Sequence, residues 1–470
     1  MFSKGSKVLD LGDYRRFDFG ECLKEKFATF VLDEGGLSSP LSISLVIPTK
    51  FEPEGILEIE EDTLHKILKQ CSELVDTGFL DEIVIMGATL KKGGTPDFSI
   101  LQNVVRIAYE ELGLFKEQVD LLNKYRSQNE KAKRGLTDFF LKVVHQFDGN
   151  MSKLLAKYGV FGATGYFGVL PGKGSGIWLS VPITRGDILC FVDADIVNFT
   201  KEFVVGLCHP IIYSWNVQEA AIKFVKAYYN RLTVAKENSQ ALILGGRICR
   251  LLALPLLQAT VQTFELYLGL EGIKYPLSGE FAISRDLMEQ LNFPNTYAIE
   301  TSMLFQVYDL IGPSSIAQLD LDVYRHIGQK FENLEPMARQ IVDSVLRVAD
   351  DKLGRHLTNE EKEQLIVSYE ENVTRLIDEY EKTASSLRKA EEGLAYSRES
   401  DLQKMQFLKK VVDDVVSGRS KERRTHYFSF PSWRRINERI GSHFALKEMM
   451  RRRSNQSTWS RLSECGLVSE

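Results

Sequence analysis

A chain of 470 residues is long enough for two or three domains with sizeable cores. Its 59 Lys and Arg against 64 Asp and Glu leave a formal net charge of −5, which gives no general case for a nucleic-acid partner. No segment approaches about eighteen uninterrupted apolar residues, and the six cysteines are scattered without a CxxC spacing, which argues against a membrane span, a disulfide framework and a zinc ribbon.

The N-terminal stretch MFSKGSKVLDLGDYRRFDFG lacks the apolar core of a signal peptide, so a cytoplasmic location is expected. Residues 1–40 read as an adapter segment ending in a loop rich in Gly and Ser. Ile43 to Ile47, closed by Pro48, is a compact apolar run that predicts the first strand. A helix is predicted from about Glu61 to Asp76, with Leu64, Ile67, Leu68, Cys71 and Leu74 on one face. DEIVIM, Asp81 to Met86, predicts the second strand, and strand, helix, strand at this spacing is a βαβ unit of a parallel sheet. Residues 98–157 are rich in charge and mostly helical by pattern, which predicts a helical insertion. Gly159 to Gly168, GVFGATGYFG, is a glycine and aromatic loop of the kind that can close over a ligand.

The centre of the chain is LPGKGSGIWLSVPITRGDILCFVDADI, Leu170 to Ile196. A Gly-rich turn carrying Lys173 leads into an amphipathic helix and a turn at Arg185-Gly186-Asp187. The buried strand Ile188 to Val192 then ends in Asp193-Ala194-Asp195. Ligands of open α/β sheets bind beyond the carboxyl ends of the strands. Two carboxylates there, one residue apart, suit Mg²⁺ or Mn²⁺, which take oxygen ligands and bridge to substrate phosphates. Lys173 is a point charge suited to a diphosphate. Asp-x-Asp alone is common by chance; its place at a strand end, behind a Gly-Lys turn, gives it weight.

The α/β pattern continues with a helix from Phe203 to Tyr213, a strand from Ala221 to Tyr229, and the turn Gly245-Gly246-Arg247 before a helix over Ile248 to Leu257. A short strand, Leu277 to Ile283, embeds Glu280; a helix from Tyr297 to Leu310 contains Glu300; and a strand from Ile316 to Val323 precedes Tyr324-Arg325-His326. From about Leu334 the pattern is helical, with alternating charges over residues 360–416 that read as a solvated face. The tail from 419 is basic and aromatic, with Arg434, Arg435, Arg451, Arg452 and Arg453 among Phe430, Trp433 and Phe444, and reads as domain packing or oligomer contacts ahead of nucleic acid or lipid.

These motifs, in this order and spacing, resemble the glucosyl-3-phosphoglycerate synthases, retaining glycosyltransferases of the GT-A fold. LPGKGSGIWLS…GDILCFVDADI carries most of the likeness, supported by FVKAYYNR, GGRICRLLALPLLQ, YPLSGEFAISRDL, YAIETSMLFQVYDLIG and AQLDLDVYRHIGQ. The resemblance implies an α/β, Rossmann-like, mostly parallel sheet flanked by helices over residues 41–337, interrupted at 98–157, with a helical C-terminal extension over 338–470. It implies transfer of glucose from a UDP-, GDP- or ADP-glucose donor to 3-phosphoglycerate, with Mg²⁺, Mn²⁺ or Co²⁺ as cofactor and a homodimer as the assembly. By resemblance, Asp195 and His326 are the metal ligands, with Asp193 on the ribose or metal side. Lys173 contacts the diphosphate, Glu52 the ribose, Glu280 and Glu300 the sugar, and Gly246 and Arg247 the acceptor's phosphate. Asp195, Glu300 and Lys173 make up the catalytic set.

Three positions depart from the family's pattern. Gly87-Ala88 stands where an Asp-Ser pair seats the base, and Cys249 and Gly328 stand where a threonine and an asparagine meet the acceptor. Another small anionic acceptor, or a non-catalytic sugar-nucleotide-binding protein, is the alternative. A sugar-nucleotide pyrophosphorylase fits less well, because Pro48-Thr49-Lys50-Phe51 follows the first strand where its Gly-rich loop belongs.

Overall fold

The computed structural model of the chain describes residues 7–32, 38–50, 58–113, 116–118, 138–160, 170–215, 221–234, 242–327, 334–418, 429–441 and 443–468. Short Val-, Ile- and Leu-rich runs form the strands: β1 (Leu9–Asp13), the hairpin β2 (Phe30–Leu32) and β3 (Ser38–Pro40), β4 (Ile43–Thr49), β5 (Glu82–Gly87), β6 (Leu141–His145) and β7 (Ile188–Phe191). They continue with β8 (Phe224–Val234), β9 (Leu242–Leu244), β10 (Phe281–Ser284), β11 (Phe293–Pro294), β12 (Ile316–Ile327), β13 (Leu394–Ala395) and β14 (Ser429–Phe430). The main sheet runs β1-β12-β8-β10-β7-β4-β5-β6, with β9 and β13 continuing from β8. Along that path every neighbouring pair is parallel except those of β10, which is antiparallel to β7 and to β8. The mostly parallel α/β sheet expected from the sequence is borne out.

That one reversal positions the site. Phe281, the first residue of β10, pairs with Phe191, the last of β7. Glu280, just before β10, therefore reaches the same edge of the sheet as Asp193, just after β7. Side chains alternate across the sheet, so Ile43, Leu45 and Ile47 of β4 enter one hydrophobic cluster and Val46 the other.

The helices up to the end of the sheet are α1 (Phe19–Ala28), α2 (Glu58–Asp76), α3 (Ser99–Arg106), α4 (Gly149–Lys157), α5 (Lys173–Ile183), α6 (Lys201–Ser214), α7 (Leu254–Phe264), α8 (Arg285–Met288) and α9 (Ile299–Ile311). The extension supplies α10 (Glu335–Leu353), α11 (Asn359–Leu387), α12 (Arg398–Val416), α13 (Trp433–Ile440) and α14 (His443–Glu464). It shares a core with the sheet: Ile341, Tyr369, Leu408 and Trp433 lie in one cluster with Val46, Trp178 and Phe191. The basic tail packs inward too, and Arg451 donates to the Thr184 carbonyl at 2.8 Å.

Several expectations change. The stretch 98–157 is not an all-helical insertion, because it contains the sheet strand β6, parallel to β5. A lysine interrupts that strand's apolar run, and Lys142 is tolerated in the interior because its Nζ pairs with Glu82 and lies 3.3 Å from Asp138. Residues 1–40 include β1, which joins the sheet beside β12. The helix after Pro171 is not amphipathic, since Gly174 to Ile183 are all buried. The expected strands over 221–229 and 316–323 extend as β8 and β12 to Val234 and Ile327. The glycine and aromatic loop lies outside the described residues from position 161 to 168.

Candidate active site

Lys173 is the first residue of α5, set between two carboxylates. Its Nζ is 2.9 Å from Asp193 Oδ1 and 2.9 Å from Glu300 Oε1 in the first turn of α9. Burial alone would lower the Lys173 pKa, but Asp193 and Glu300 outweigh it and hold the ammonium above the usual lysine value. The approach requires Gly279, because a Cβ there would stand 2.6 Å from Asp193 Oδ2 and 2.7 Å from Lys173 Nζ.

Glu280 has 0% exposure. Its Oε1 accepts from the Tyr324 hydroxyl at 2.6 Å and its Oε2 from the Tyr229 hydroxyl at 2.7 Å, with Ser278 Oγ at 3.1 Å from Oε2. Burial and the Asp193 charge push its pKa above the ordinary carboxylate value. Glu280, expected from the resemblance to touch the sugar, here holds the two tyrosines and the backbone at Asp193, whose N–H lies 3.4 Å from Oε1.

Asp195 lies one turn residue beyond Asp193. Its Oδ1 is buried without a hydrogen-bond partner, and its Oδ2 is 3.8 Å from His326 Nδ1. His326, on β12, places Nε2 2.9 Å from Thr233 Oγ1 on β8 and Nδ1 2.9 Å from the Ile327 carbonyl. Burial and the Arg231 charge hold its pKa below the usual histidine value. Thr233 orients the imidazole as outer partners of metal-bound histidines do. A carboxylate with one orphaned oxygen and the other 3.8 Å from an imidazole is a donor set that fits a divalent cation. Among the described residues no group of three or more His, Cys, Asp and Glu side chains is arranged to hold a metal by itself. Two protein ligands match a cation that completes its shell with phosphate oxygens.

The structure thus brings together Lys173, Asp193, Glu300 and Glu280, and separately Asp195 and His326, at the carboxyl edge of β7, β8 and β12. Asp193 turns to Lys173. Gly246 (φ 68°) and Arg247 follow β9, and Gly246 lies against Tyr275. Arg247 is near enough to Lys404 of α12 to help lower that lysine's pKa, behind the larger effect of burial. Cys249 is buried, and its thiol is pushed up to about 12. Gly87 faces inward, where a Cβ would meet Leu101 at 3.0 Å. Glu52 and Gly328 lie outside the described residues.

Sequence reading missed the polar half of β8. Tyr229, Arg231 and Thr233 alternate onto the face that carries Tyr324 and His326, with Tyr324 opposite Arg231 and His326 opposite Thr233. The signal was present in FVKAYYNR: two cations in a strand pattern imply either buried pairing or a site. The other cation, Lys226, is 1% exposed and donates to the Ser278 carbonyl at 2.7 Å, which braces the turn before Glu280. Burial lowers its pKa from 10.5 to about 8 against the opposing pull of Glu300 and Glu280. Between those values the unfolded chain keeps a proton that the folded chain has released, so stability rises with pH through the window and is lost as pH falls back to about 8. The expected gain is roughly 3 kcal/mol. Urea denaturation across that window should show the slope in the wild type and not in Lys226→Met; equal slopes would refute the depressed lysine.

No family model matches the chain. It is similar to the glucosyl-3-phosphoglycerate synthase of Mycobacterium tuberculosis, 36% identical over 180 residues, or 38% of this chain and 52% of the relative. The protein of that name from Petrotoga mobilis is 33% identical over 234 residues, 48% of this chain and 65% of the relative. A crystal structure of the M. tuberculosis synthase in complex with Mn²⁺, UDP-glucose and phosphoglyceric acid is 25% identical with a TM-score of 0.48, over 73% of this chain and 88% of that chain. The chain thus spans about half the length of the M. tuberculosis relative, 52%.

Proposed function

We propose that this homologue of the glucosyl-3-phosphoglycerate synthases transfers glucose, with retention, from a nucleotide diphosphate glucose to 3-phosphoglycerate. The observation that carries the reading is the convergence of Lys173, Asp193, Glu300, Asp195 and His326 on one sheet edge, in a chain whose curated relatives share that name. Asp195 and His326 would hold Mg²⁺ or Mn²⁺. When bound, the cation offsets the charge that develops on the departing diphosphate.

The chain's own residues supply the rest. Lys173 is a fixed cation at the start of α5, where a helix N-terminus also favours an anion. Lys173 fixes one oxygen of Glu300, and the other would meet a sugar hydroxyl. Asp193 and Glu300 are both committed to Lys173, so neither is poised as a free base. That supports a reaction in which the acceptor proton leaves on the departing diphosphate, as the family resemblance implies. Arg247 takes the acceptor's phosphate through its planar fork. The inward-facing Gly87 offers the base no polar side chain, so UDP-, GDP- and ADP-glucose should be discriminated weakly.

The test is incubation of the purified chain with each donor, 3-phosphoglycerate and Mg²⁺ or Mn²⁺, following nucleotide diphosphate release and the glucosylated product. Product that depends on the cation and disappears with chelator is expected, and Arg247→Ala should raise the acceptor KM more than about tenfold, as loss of a charged hydrogen bond implies. Absence of product with every donor would overturn the reading.

A further inference from the structure

We propose that the buried ion pair between Arg250 and Asp401 is a positioning device, through which the C-terminal extension fixes the direction of the acceptor loop. The inference rests on the acceptor reading above and goes further, by making a residue of α12 set the loop's affinity without touching the acceptor.

Arg250 stands in the first helical turn after the Gly245-Gly246-Arg247 loop, where its N–H donates to the Gly246 carbonyl at 2.8 Å. Its side chain turns back to the loop. Nε donates to the Gly245 carbonyl at 2.7 Å, and Nη1 donates to Asp401 Oδ2 at 2.8 Å. Nη2 lies 3.4 Å from Asp401 Oδ1, so the planar guanidinium joins loop and extension, with one edge on each. Tyr380 of α11 covers it, its ring centre 4.7 Å from the guanidinium carbon. Both partners are enclosed, Arg250 at 4% and Asp401 at 3% exposure, although Asp401 belongs to the charged stretch that reads as a solvated face. An ion pair buried this fully is weak evidence for stability, because apolar residues of similar volume often pack as well. What it adds here is a fixed direction.

The direction is that of one peptide unit. The Gly245 carbonyl and the Gly246 N–H belong to the same trans peptide, so they point to opposite sides. Arg250 holds the carbonyl, and the Gly246 N–H is thereby turned away from Arg250. Gly246, at φ 68°, has no side chain to restrict that unit, so its direction depends on outside anchors. A second anchor lies one bond earlier: the Gly245 N–H donates to the Arg231 carbonyl on β8 at 2.7 Å. Gly245 is also pressed against the metal-binding edge, since a Cβ there would stand 2.5 Å from Thr233 Oγ1 and 3.1 Å from His326 Nε2. The extension meets the strand entering the loop as well: β13 pairs with β9 in parallel, Leu394 with Leu242 and Ala395 with Ile243. Residues 394–401 therefore hold both the strand that leads into the loop and the peptide at its turn. A shift of α12 moves the Gly246 N–H and Arg247 relative to His326, and with them the acceptor relative to the donor.

The experiment measures KM for 3-phosphoglycerate, and UDP affinity by calorimetry, in the wild type, Asp401→Asn, Arg250→Lys and the double variant Arg250→Met with Asp401→Leu, each below its melting temperature. Asp401→Asn keeps the shape and removes the charge. Arg250→Lys keeps the charge and cannot span both partners. The double variant fills the space with apolar side chains, so it should melt near the wild type while losing the hold on the Gly245 carbonyl. The acceptor KM should rise at least about tenfold in the double variant and less in the two single ones, with UDP affinity within about twofold of the wild type. Single variants that melt lower but keep the wild-type acceptor KM would overturn the inference, and so would a wild-type acceptor KM in the double variant, because either assigns the pair to stability alone. A loss of UDP affinity as large as the loss for the acceptor would also overturn it, as a general loosening of the site. Should a single variant fail to fold, the double variant decides. A wild type that forms no product with any donor would sink the functional reading and this inference with it.

Discussion

Asp195→Ala should lower kcat/KM for glucosyl transfer by about a thousandfold, roughly 4 kcal/mol of lost transition-state stabilisation. Among the described residues no group satisfies the buried Oδ1 of Asp195, and its Oδ2 lies 3.8 Å from His326 Nδ1. Removing Asp195 takes away half of the two-residue ligand set proposed above. Thr233→Val gives the graded comparison. It leaves both ligands in place and removes only the hydroxyl beside His326 Nε2, so a loss of about ten- to a hundredfold is expected. Excess Mn²⁺ should recover part of the Thr233→Val activity and little of the Asp195→Ala activity. Melting curves would confirm that each variant is folded. An Asp195→Ala enzyme retaining more than about a tenth of wild-type kcat/KM, far above the thousandfold loss expected, would remove Asp195 from the reaction.

The parts of this site that face the core were legible in the sequence, and the parts that face the ligand were much less so. Ile188 to Phe191 is apolar because both faces of β7 are covered, so the strand announces itself and points at Asp193 and Asp195. β8 and β12 are different. Their carboxyl halves carry Tyr229, Arg231, Thr233, Tyr324 and His326 on one face, so the apolar pattern stops before the strand does, although both tyrosines stay in the core. On β12 a register shift between Asp320 and Val323, with Asp322 at φ 60°, further disguises the strand as a turn. The direction of β10 carries no signature in its own four residues, yet it decides that Glu280 is a buried brace. The enclosure of Glu280 by Tyr229, Tyr324 and Ser278 was not legible either, because the two tyrosines lie on other strands.

The extension's hold on Lys173 was equally invisible, because it joins residues about 255 apart in sequence. Trp178 of α5 stacks on Phe430 and Trp433, with ring centres 4.7 and 4.6 Å away. Both indoles donate to backbone carbonyls: Trp433 Nε1 to that of Trp178 at 2.7 Å, and Trp178 Nε1 to that of Pro431 at 3.0 Å. β14 pairs with β11, and α5 begins pressed against the carbonyls that follow: a Cβ on Gly174 would stand 1.8 Å from the Pro294 oxygen, and one on Gly172 1.6 Å from that of Asn295. Extension, β11 and the first turn of α5 are therefore one packed stack, with Lys173 at its tip. Trp433→Ala should destabilise the chain by about 3–5 kcal/mol, the usual range for a deleted core tryptophan. Trp433→Phe keeps most of the stack and loses one hydrogen bond, at a cost nearer 1 kcal/mol plus its smaller packing loss. Arg434→Ala, on the exposed side of the same helix, should stay within about 0.5 kcal/mol. The loosened start of α5 should also cost Trp433→Ala activity at temperatures where it remains folded. A displacement of Lys173 of about 1 Å is enough to lower kcat up to a hundredfold. A Trp433→Ala enzyme that is less stable but turns over at the wild-type rate when folded would show that the extension holds the core together without positioning Lys173.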